Sequence, residues 1–200
     1  SIEYYSLVRT NRVIEISDIA AVMIDAEKGF TNHDRDIIRQ VIDNGRGLLI
    51  VINKWDLVSN KSKAVNFLND RLGTSLSQAA GTNIVKLSAL TGRDIEKFMP
   101  AVLKSFEVWN QRISTAQLNL WLSEAIERNP PPLANNKRNI RLRYVTQPKA
   151  RPPTFVMFGN RPEDLPNSYL RYLENSLRQK FELFGTPIRL NLRKSRNPYN

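Results

Sequence analysis

Three short apolar runs punctuate the first half of the chain. Ile19-Ala20-Ala21-Val22-Met23-Ile24-Asp25 stays apolar until its final acid. Leu48-Leu49-Ile50-Val51-Ile52-Asn53 is the second run, and Asn83-Ile84-Val85-Lys86-Leu87-Ser88 is a third, less apolar one. Continuous runs of this length predict strands buried on both faces of a parallel sheet. Between them the period becomes helical. Thr31 is placed to N-cap a helix, with Asp34 in its first turn. Ile37, Ile38, Val41 and Ile42 then recur on one face, and Asn44-Gly45 stops it. Residues 61–72 predict a second helix, with Ala64, Leu68 and Leu72 on one side and Gly73 after it. Ile95, Phe98, Met99, Val102, Leu103 and Phe106 predict a third apolar helix face, in which Pro100 marks a kink or a late start. Residues 3–16 also read as a helix. This alternation predicts a parallel sheet with right-handed crossovers.

Near Ile113 the pattern changes. Ser114-Thr115-Ala116-Gln117 reads as a capping box, and Leu118, Trp121, Leu122, Ala125 and Ile126 follow at helical spacing. Asn129-Pro130-Pro131-Pro132 ends that helix in a stiff loop. Ile140, Leu142 and Tyr144 alternate with Arg141, Arg143 and Val145, as in a half-exposed strand. Residues 148–153 are a break. Thr154-Phe155-Val156-Met157-Phe158 predicts a buried strand closed by Gly159-Asn160. Leu170, Leu173, Leu177, Phe181 and Phe184 predict one face of a long helix ended by Gly185. Residues 187–192 are the final strand, with Ile188, Leu190 and Leu192 on one face and Arg189 on the other. The order α-β-β-α-β packs most economically as a three-stranded sheet backed by two helices.

Composition narrows the chemistry. The chain has 200 residues, 41% of them hydrophobic, enough for a core and against wholesale disorder. With no cysteine there is no disulfide scaffold, thiolate zinc site or cysteine nucleophile. A single histidine, His33, excludes multi-histidine metal sites; at a helix start with no partner signal it reads as a surface residue. The longest apolar runs fall far short of the roughly 20 residues that cross a bilayer. Ser1-Ile2-Glu3 lacks the basic segment of a signal peptide. The net charge of +11 is uneven, with +2 on residues 1–112 and +9 on residues 113–200. A basic second half points to a polyanionic partner, most often nucleic acid.

The chemistry-bearing motif is Asn53-Lys54-Trp55-Asp56, directly after the second strand. Ligands of open parallel sheets bind at this carboxyl edge. N-K-x-D is the guanine-specificity element of GTPases. Guanine presents two adjacent donors, N1–H and its 2-amino group, and one carboxylate, that of Asp56, accepts both. Adenine lacks that pair, so its rejection is steep. Asn53 would hold the loop and bond the base edge, and the aliphatic stem of Lys54 would cover one purine face. Ser88-Ala89-Leu90 ends the third strand, where GTPases place S-A-K or S-A-L; the Ala89 N–H would meet the guanine carbonyl. Trp55 fills the variable slot of the tetrad and need not touch guanine. Phosphate binding requires G-x-x-x-x-G-K-[ST], and no glycine here is followed by lysine. The D-x-x-G element that senses the third phosphate and magnesium is also expected to be absent, since Asp25-Ala26-Glu27-Lys28-Gly29 has the wrong spacing.

With these motifs the chain resembles the C-terminal portion of the Der (EngA) family of bacterial GTPases over nearly all of its length. The resemblance is carried by Arg9-Thr10 before Ile14-Glu15, the segment from Val22 to Gly29, the tetrad at Asn53, and Ser88-Ala89-Leu90-Thr91-Gly92. In the second half it is carried by Pro131-Pro132, Gly159-Asn160, Asp164-Leu165-Pro166-Asn167-Ser168-Tyr169, Arg171-Tyr172-Leu173, Gly185-Thr186-Pro187-Ile188-Arg189 and Asn197-Pro198-Tyr199. It implies an α/β fold: the rear of a P-loop-type GTPase domain over residues 1–112, with Ser1 just after the second switch, then a KH-like α+β domain over residues 113–200. It implies GTP or GDP as ligand, with magnesium only in the intact domain, a cytoplasmic location, and action in assembly of the large ribosomal subunit. Its implied partners are ribosomal RNA, that subunit, and the missing GTPase segments of the same protein. The chain alone is expected to hydrolyse GTP poorly.

Without those segments the edge of the first strand should be exposed and sticky. A non-catalytic RNA-binding or adaptor module with a vestigial nucleotide fold is the alternative. KH domains clamp RNA with a G-x-x-G loop, and Gly159-Asn160-Arg161-Pro162 departs from it. The candidates for phosphate contacts are therefore Arg138, Arg141, Arg143, Lys149, Arg151, Arg189, Arg193, Lys194 and Arg196. Trp109 and Trp121 read as core or domain-interface residues. Tyr169 and Tyr172 fit packing better than stacking on RNA.

Overall fold

The computed structural model describes residues 2–75, 77–79, 81–133 and 138–195. The chain divides into two compact units, Ser1–Asn110 with Phe184–Pro187, and Gln111–Leu183 with Ile188–Asn200.

The first unit is a parallel sheet of β1 (Ile19–Asp25), β2 (Gly47–Asn53) and β3 (Ile84–Lys86), in that order. Helices α1 (Ile2–Ile16), α2 (Asn32–Asp43), α3 (Lys61–Ser75) and α4 (Phe98–Trp109) connect and flank the strands. The apolar run of β2 has the cause the sequence suggests, burial on both faces. Leu48, Ile50 and Ile52 pack with Ile38, Val41 and Leu68, while Leu49 and Val51 pack with Val85 and Leu87. Helix α2 starts where Thr31 accepts from the Asp34 N–H and the Asp34 carboxylate accepts from Thr31 N–H. That reciprocal pair satisfies donors the helix leaves open.

Three expectations for this unit are corrected. Strand β1 is buried on one face only, with Ala21 exposed and Met23 56% exposed. It pairs with β2, and among the described residues no strand covers its other edge. A groove of about 700 Å³ runs there, lined by Arg9, Val13, Ala21, Met23 and Ile37 among others. Helix α3 does not stop at Gly73 but continues to Ser75; one glycine costs a helix only about 1 kcal/mol, less than a stop requires. In α4 the apolar positions split. Phe98, Ala101 and Val102 pack inward and Trp109 is buried, while Met99 and Leu103 are exposed, as is Ile95 just before the helix. Pro100 marks a late start: it lies in the first turn, where its missing N–H costs nothing.

The second unit is a sheet of β4 (Leu142–Lys149), β5 (Thr154–Gly159) and β6 (Arg189–Lys194), with β5 central, antiparallel to β4 and parallel to β6. Helices α5 (Thr115–Arg128) and α6 (Asn167–Lys180) complete it. Ser114 and Gln117 form the expected capping box of α5. Leu118, Trp121, Phe155, Met157, Leu173 and Leu177 are all buried. Inside, Gln147 bridges backbone groups: its Oε1 accepts from Ile113 N–H at 2.8 Å and its Nε2 donates to Gln111 O at 2.9 Å.

Here too the local pattern is overridden. A register shift between Leu142 and Tyr144 breaks the expected alternation, so Leu142 and Val145 are buried and Tyr144 faces out. A bulge of one residue is enough to reverse a strand's faces. The strand also continues through Pro148, where a second shift between Thr146 and Lys149 relieves the ladder of a missing donor. Helix α6 ends at Lys180, before Phe181 and Phe184. Glu182 turns left-handed at φ 54°, and Leu183 N–H donates to Arg178 O, closing the end without glycine. The last strand starts at Arg189, two residues later than expected.

Candidate functional site

The loops after β1, β2 and β3 meet at the carboxyl edge of the first unit's sheet. The register puts Asp25 beside Asn53, and Ala26 N–H donates to Asn53 O. Asn53 is half-buried, and its side-chain oxygen accepts from two amides, Lys54 N–H at 2.8 Å and Ala89 N–H at 2.9 Å. One carbonyl thus joins the N-K-x-D loop to the S-A-L loop. The Ala89 N–H, expected to face a base, is held by Asn53 in this structure.

Lys54 sits in the left-handed region at φ 60° and leads into a single 3-10 turn, Trp55–Leu57. A side chain there costs roughly 1 kcal/mol. Its Nζ lies 2.9 Å from Asp25 Oδ2 and 2.9 Å from Glu27 Oε2. The hydrogen bond from Lys54, then the Glu27 backbone N–H, hold the Asp25 carboxyl below its ordinary range. The same bond to Asp25, followed by that to Glu27, raises Lys54 above its usual value. The ammonium is therefore anchored between two carboxylates, while the side chain as a whole stays 45% exposed.

Asp56 is exposed in the first turn of the 3-10 segment. Trp55 is buried in the core, and its backbone N–H donates to Leu87 O. Ser88 is fully buried and builds the next turn: its N–H donates to Arg93 O, its Oγ accepts from Thr91 N–H, and its carbonyl accepts from Gly92 N–H. Gly92 has φ 78°, which a side chain would strain. Ala89 is exposed, and Leu90 is 93% exposed at the tip. The six predicted residues therefore lie on two adjoining loops. Sequence reasoning missed Asp25 and Glu27 as partners of Lys54; the signal was an acid ending a strand one position from the tetrad's strand.

The sequence does spell D-x-x-G once, at Asp70-Arg71-Leu72-Gly73, against the expectation of its absence. It lies inside α3 and not in a loop after a strand, so it is no phosphate sensor. Among the described residues no group of three or more His, Asp or Glu could hold a metal ion, and no helix is long and apolar enough to cross a membrane.

The basic candidates lie in the second unit. Arg138, Arg141, Arg143, Lys149, Arg151, Arg193 and Lys194 are exposed and Arg189 is half-buried. Arg196 and the Asn197-Pro198-Tyr199 element lie outside the described residues. Tyr169 and Tyr172 donate their hydroxyls to Asn129 O and Ala125 O, so both are tied to α5 and the loop after it.

Comparison with known proteins agrees with this anatomy. Residues 4–108 match the elongation factor Tu GTP-binding domain, and residues 112–193 match the KH-domain-like C-terminal domain of EngA bacterial GTPases. The chain is 44% identical over 198 residues to GTPase Der of Parvibaculum lavamentivorans, covering 99% of this chain and 42% of that protein. The figures are 42% identity and 43% of the relative's length for a Bradyrhizobium GTPase Der, and 41% and 39% for that of Hyphomonas neptunium. The chain therefore spans about two fifths of the length of these relatives. With an elongation-factor-Tu-type GTP-binding segment followed by an EngA-type KH-like domain, the chain belongs to the Der (EngA) family.

Proposed function

We propose that this chain is the guanine-reading and RNA-binding part of a GTPase that acts in assembly of the large ribosomal subunit in the cytoplasm. In this reading residues 1–112 are the rear of a GTPase domain and residues 113–200 its KH-like domain. The observation that carries the first half is the Asn53 side chain, which joins the two base-reading loops through Lys54 N–H and Ala89 N–H. The donor set suits guanine. Asp56 offers an exposed carboxylate for the two donors that distinguish guanine from adenine. Lys54, anchored by Asp25 and Glu27, offers its stem to a purine face. The Ala89 amide is at hand for the base carbonyl once Asn53 turns to the base edge. Bound GTP would supply the phosphoryl group for hydrolysis.

In this reading phosphate and magnesium binding, and hydrolysis itself, fall to a further GTPase segment, for which relatives of which this chain covers 42–43% leave room. That segment would cover the open edge of β1. The second half meets ribosomal RNA through its basic side chains, consistent with +9 on residues 113–200.

Titration of the chain with GDP and ADP, read from backbone amide chemical shifts, tests this. GDP is expected to move Lys54, Asp56, Ser88, Ala89 and Leu90 while ADP leaves them in place, with weak affinity because the phosphate cradle is missing. Equal shifts with both nucleotides, or none at these amides, refute the reading.

A further inference from the structure

The two faces of the second unit's sheet are chemically unlike. One carries Val145, Phe155 and Met157, each with no exposed surface. On the other, the register sets Tyr144 opposite Phe158 and Phe158 opposite Arg193. Thr146 and Asn191 likewise flank Val156. Residues paired across a ladder share a face. The Tyr144 and Phe158 rings stack with centroids 4.4 Å apart and planes within 14°. Tyr144 is 42% exposed, Phe158 is half-buried and Arg193 is exposed. The face thus presents a stacked aromatic pair, of which Tyr144 is the more exposed ring, with an arginine opposite Phe158 on the neighbouring strand.

Its charge selects the partner. The register puts Lys149, Arg189 and Arg193 on this face, and the three strands carry no aspartate or glutamate. A surface without carboxylates complements a polyanion better than a protein of mixed charge. An exposed ring can stack only on an unpaired base, because duplex bases are covered by their neighbours. We propose that this sheet face binds single-stranded RNA, with a base stacked on the Tyr144–Phe158 pair and Arg193 on a neighbouring phosphate. This rests on the reading of the second half as RNA-binding, and adds the form of RNA and the residues that hold it.

The test uses the whole chain and two labelled probes, a short oligouridylate and an RNA duplex of equal length, with fluorescence anisotropy across salt. Tighter binding of the oligouridylate is expected. Tyr144→Leu should weaken it about 5- to 100-fold at unchanged salt dependence, because stacking is not ionic. Tyr144→Phe keeps the ring and should bind as the parent, which separates stacking from folding. Arg193→Gln should instead flatten the dependence of log affinity on log salt by about 0.7. Preference for the duplex, or equal oligouridylate affinity for Tyr144→Leu and Tyr144→Phe, overturns the proposal. If both variants still bind ribosomal RNA as the parent does, the site is wrong and the RNA-binding reading stands. If the parent binds no RNA of any form, that reading falls as well. A protein captured on this face while oligouridylate binding ignores Tyr144 also overturns it.

Discussion

Replacing Asn53 with alanine removes one carbonyl oxygen and strands two backbone donors, the Lys54 N–H at 2.8 Å and the Ala89 N–H at 2.9 Å. A hydrogen bond of this kind contributes about 0.5–1.5 kcal/mol net. Asn53 is half-buried and Ala89 exposed, so water recovers part of the loss. The two bonds together should then be worth about 1–2 kcal/mol. Lys54 adds a sensitivity of its own, because its left-handed backbone is held in place partly by that amide bond. Amide hydrogen exchange reads the loss at single residues. A local change of 1–2 kcal/mol is a factor of about 5–30 in opening, so Ala89 and Lys54 should exchange faster by that factor in Asn53→Ala. Amides in the middle of β2 should exchange as before. Asn53→Asp keeps an oxygen in place and should preserve the protection. Unchanged exchange at Ala89 in Asn53→Ala, or equal loss in both variants, would show that this oxygen does not join the loops.

Other outcomes follow from single contacts. The Asp25 carboxyl is depressed by its Lys54 bond. Its contribution to stability should be complete above the usual carboxylate range and vanish as pH falls through the depressed folded value, with Lys54→Met moving the carboxyl ¹³C titration up toward the ordinary range. Gln147→Leu leaves the buried Ile113 N–H and the part-buried Gln111 carbonyl unpaired; at about 1–3 kcal/mol for the buried donor, with water recovering part of the carbonyl's loss, urea unfolding of the second unit should lose about 1–3 kcal/mol. Glu182→Gly removes the strain of a left-handed side chain at the end of α6 and should raise stability by about 1 kcal/mol in the same assay.

The sequence was most legible where one cause controls the pattern. Strand β2 is apolar throughout because both of its faces are covered. The capping boxes at Thr31 and Ser114 are local chemistry and need no tertiary context. Strand β1 departs from the expected two-sided burial because small apolar residues such as Ala20 and Ala21 do not reveal whether a neighbour covers them. The bulge at Leu142–Tyr144 has no side-chain signature, yet it turns Tyr144 outward. The end of α6 depends on Glu182 taking a conformation that glycine usually supplies. At the candidate site the tetrad was legible because it is contiguous. The bond from Lys54 to Glu27 spans 27 positions and exists only because β1 pairs with β2 in this register. The role of Asn53 Oδ1 toward Ala89, 36 positions away, was hidden for the same reason.

The central claim is that the loop at Asn53–Asp56 reads guanine through the Asp56 carboxylate. An Asp56→Asn amide offers a donor where the carboxylate offers only acceptors, and xanthine presents a carbonyl where guanine presents its 2-amino group. Amide-shift titrations of the parent chain and of Asp56→Asn with GDP and xanthosine diphosphate test the claim directly. The account predicts that the parent responds to GDP and not to xanthosine diphosphate, and that Asp56→Asn reverses the order. The same preference in both proteins would contradict it.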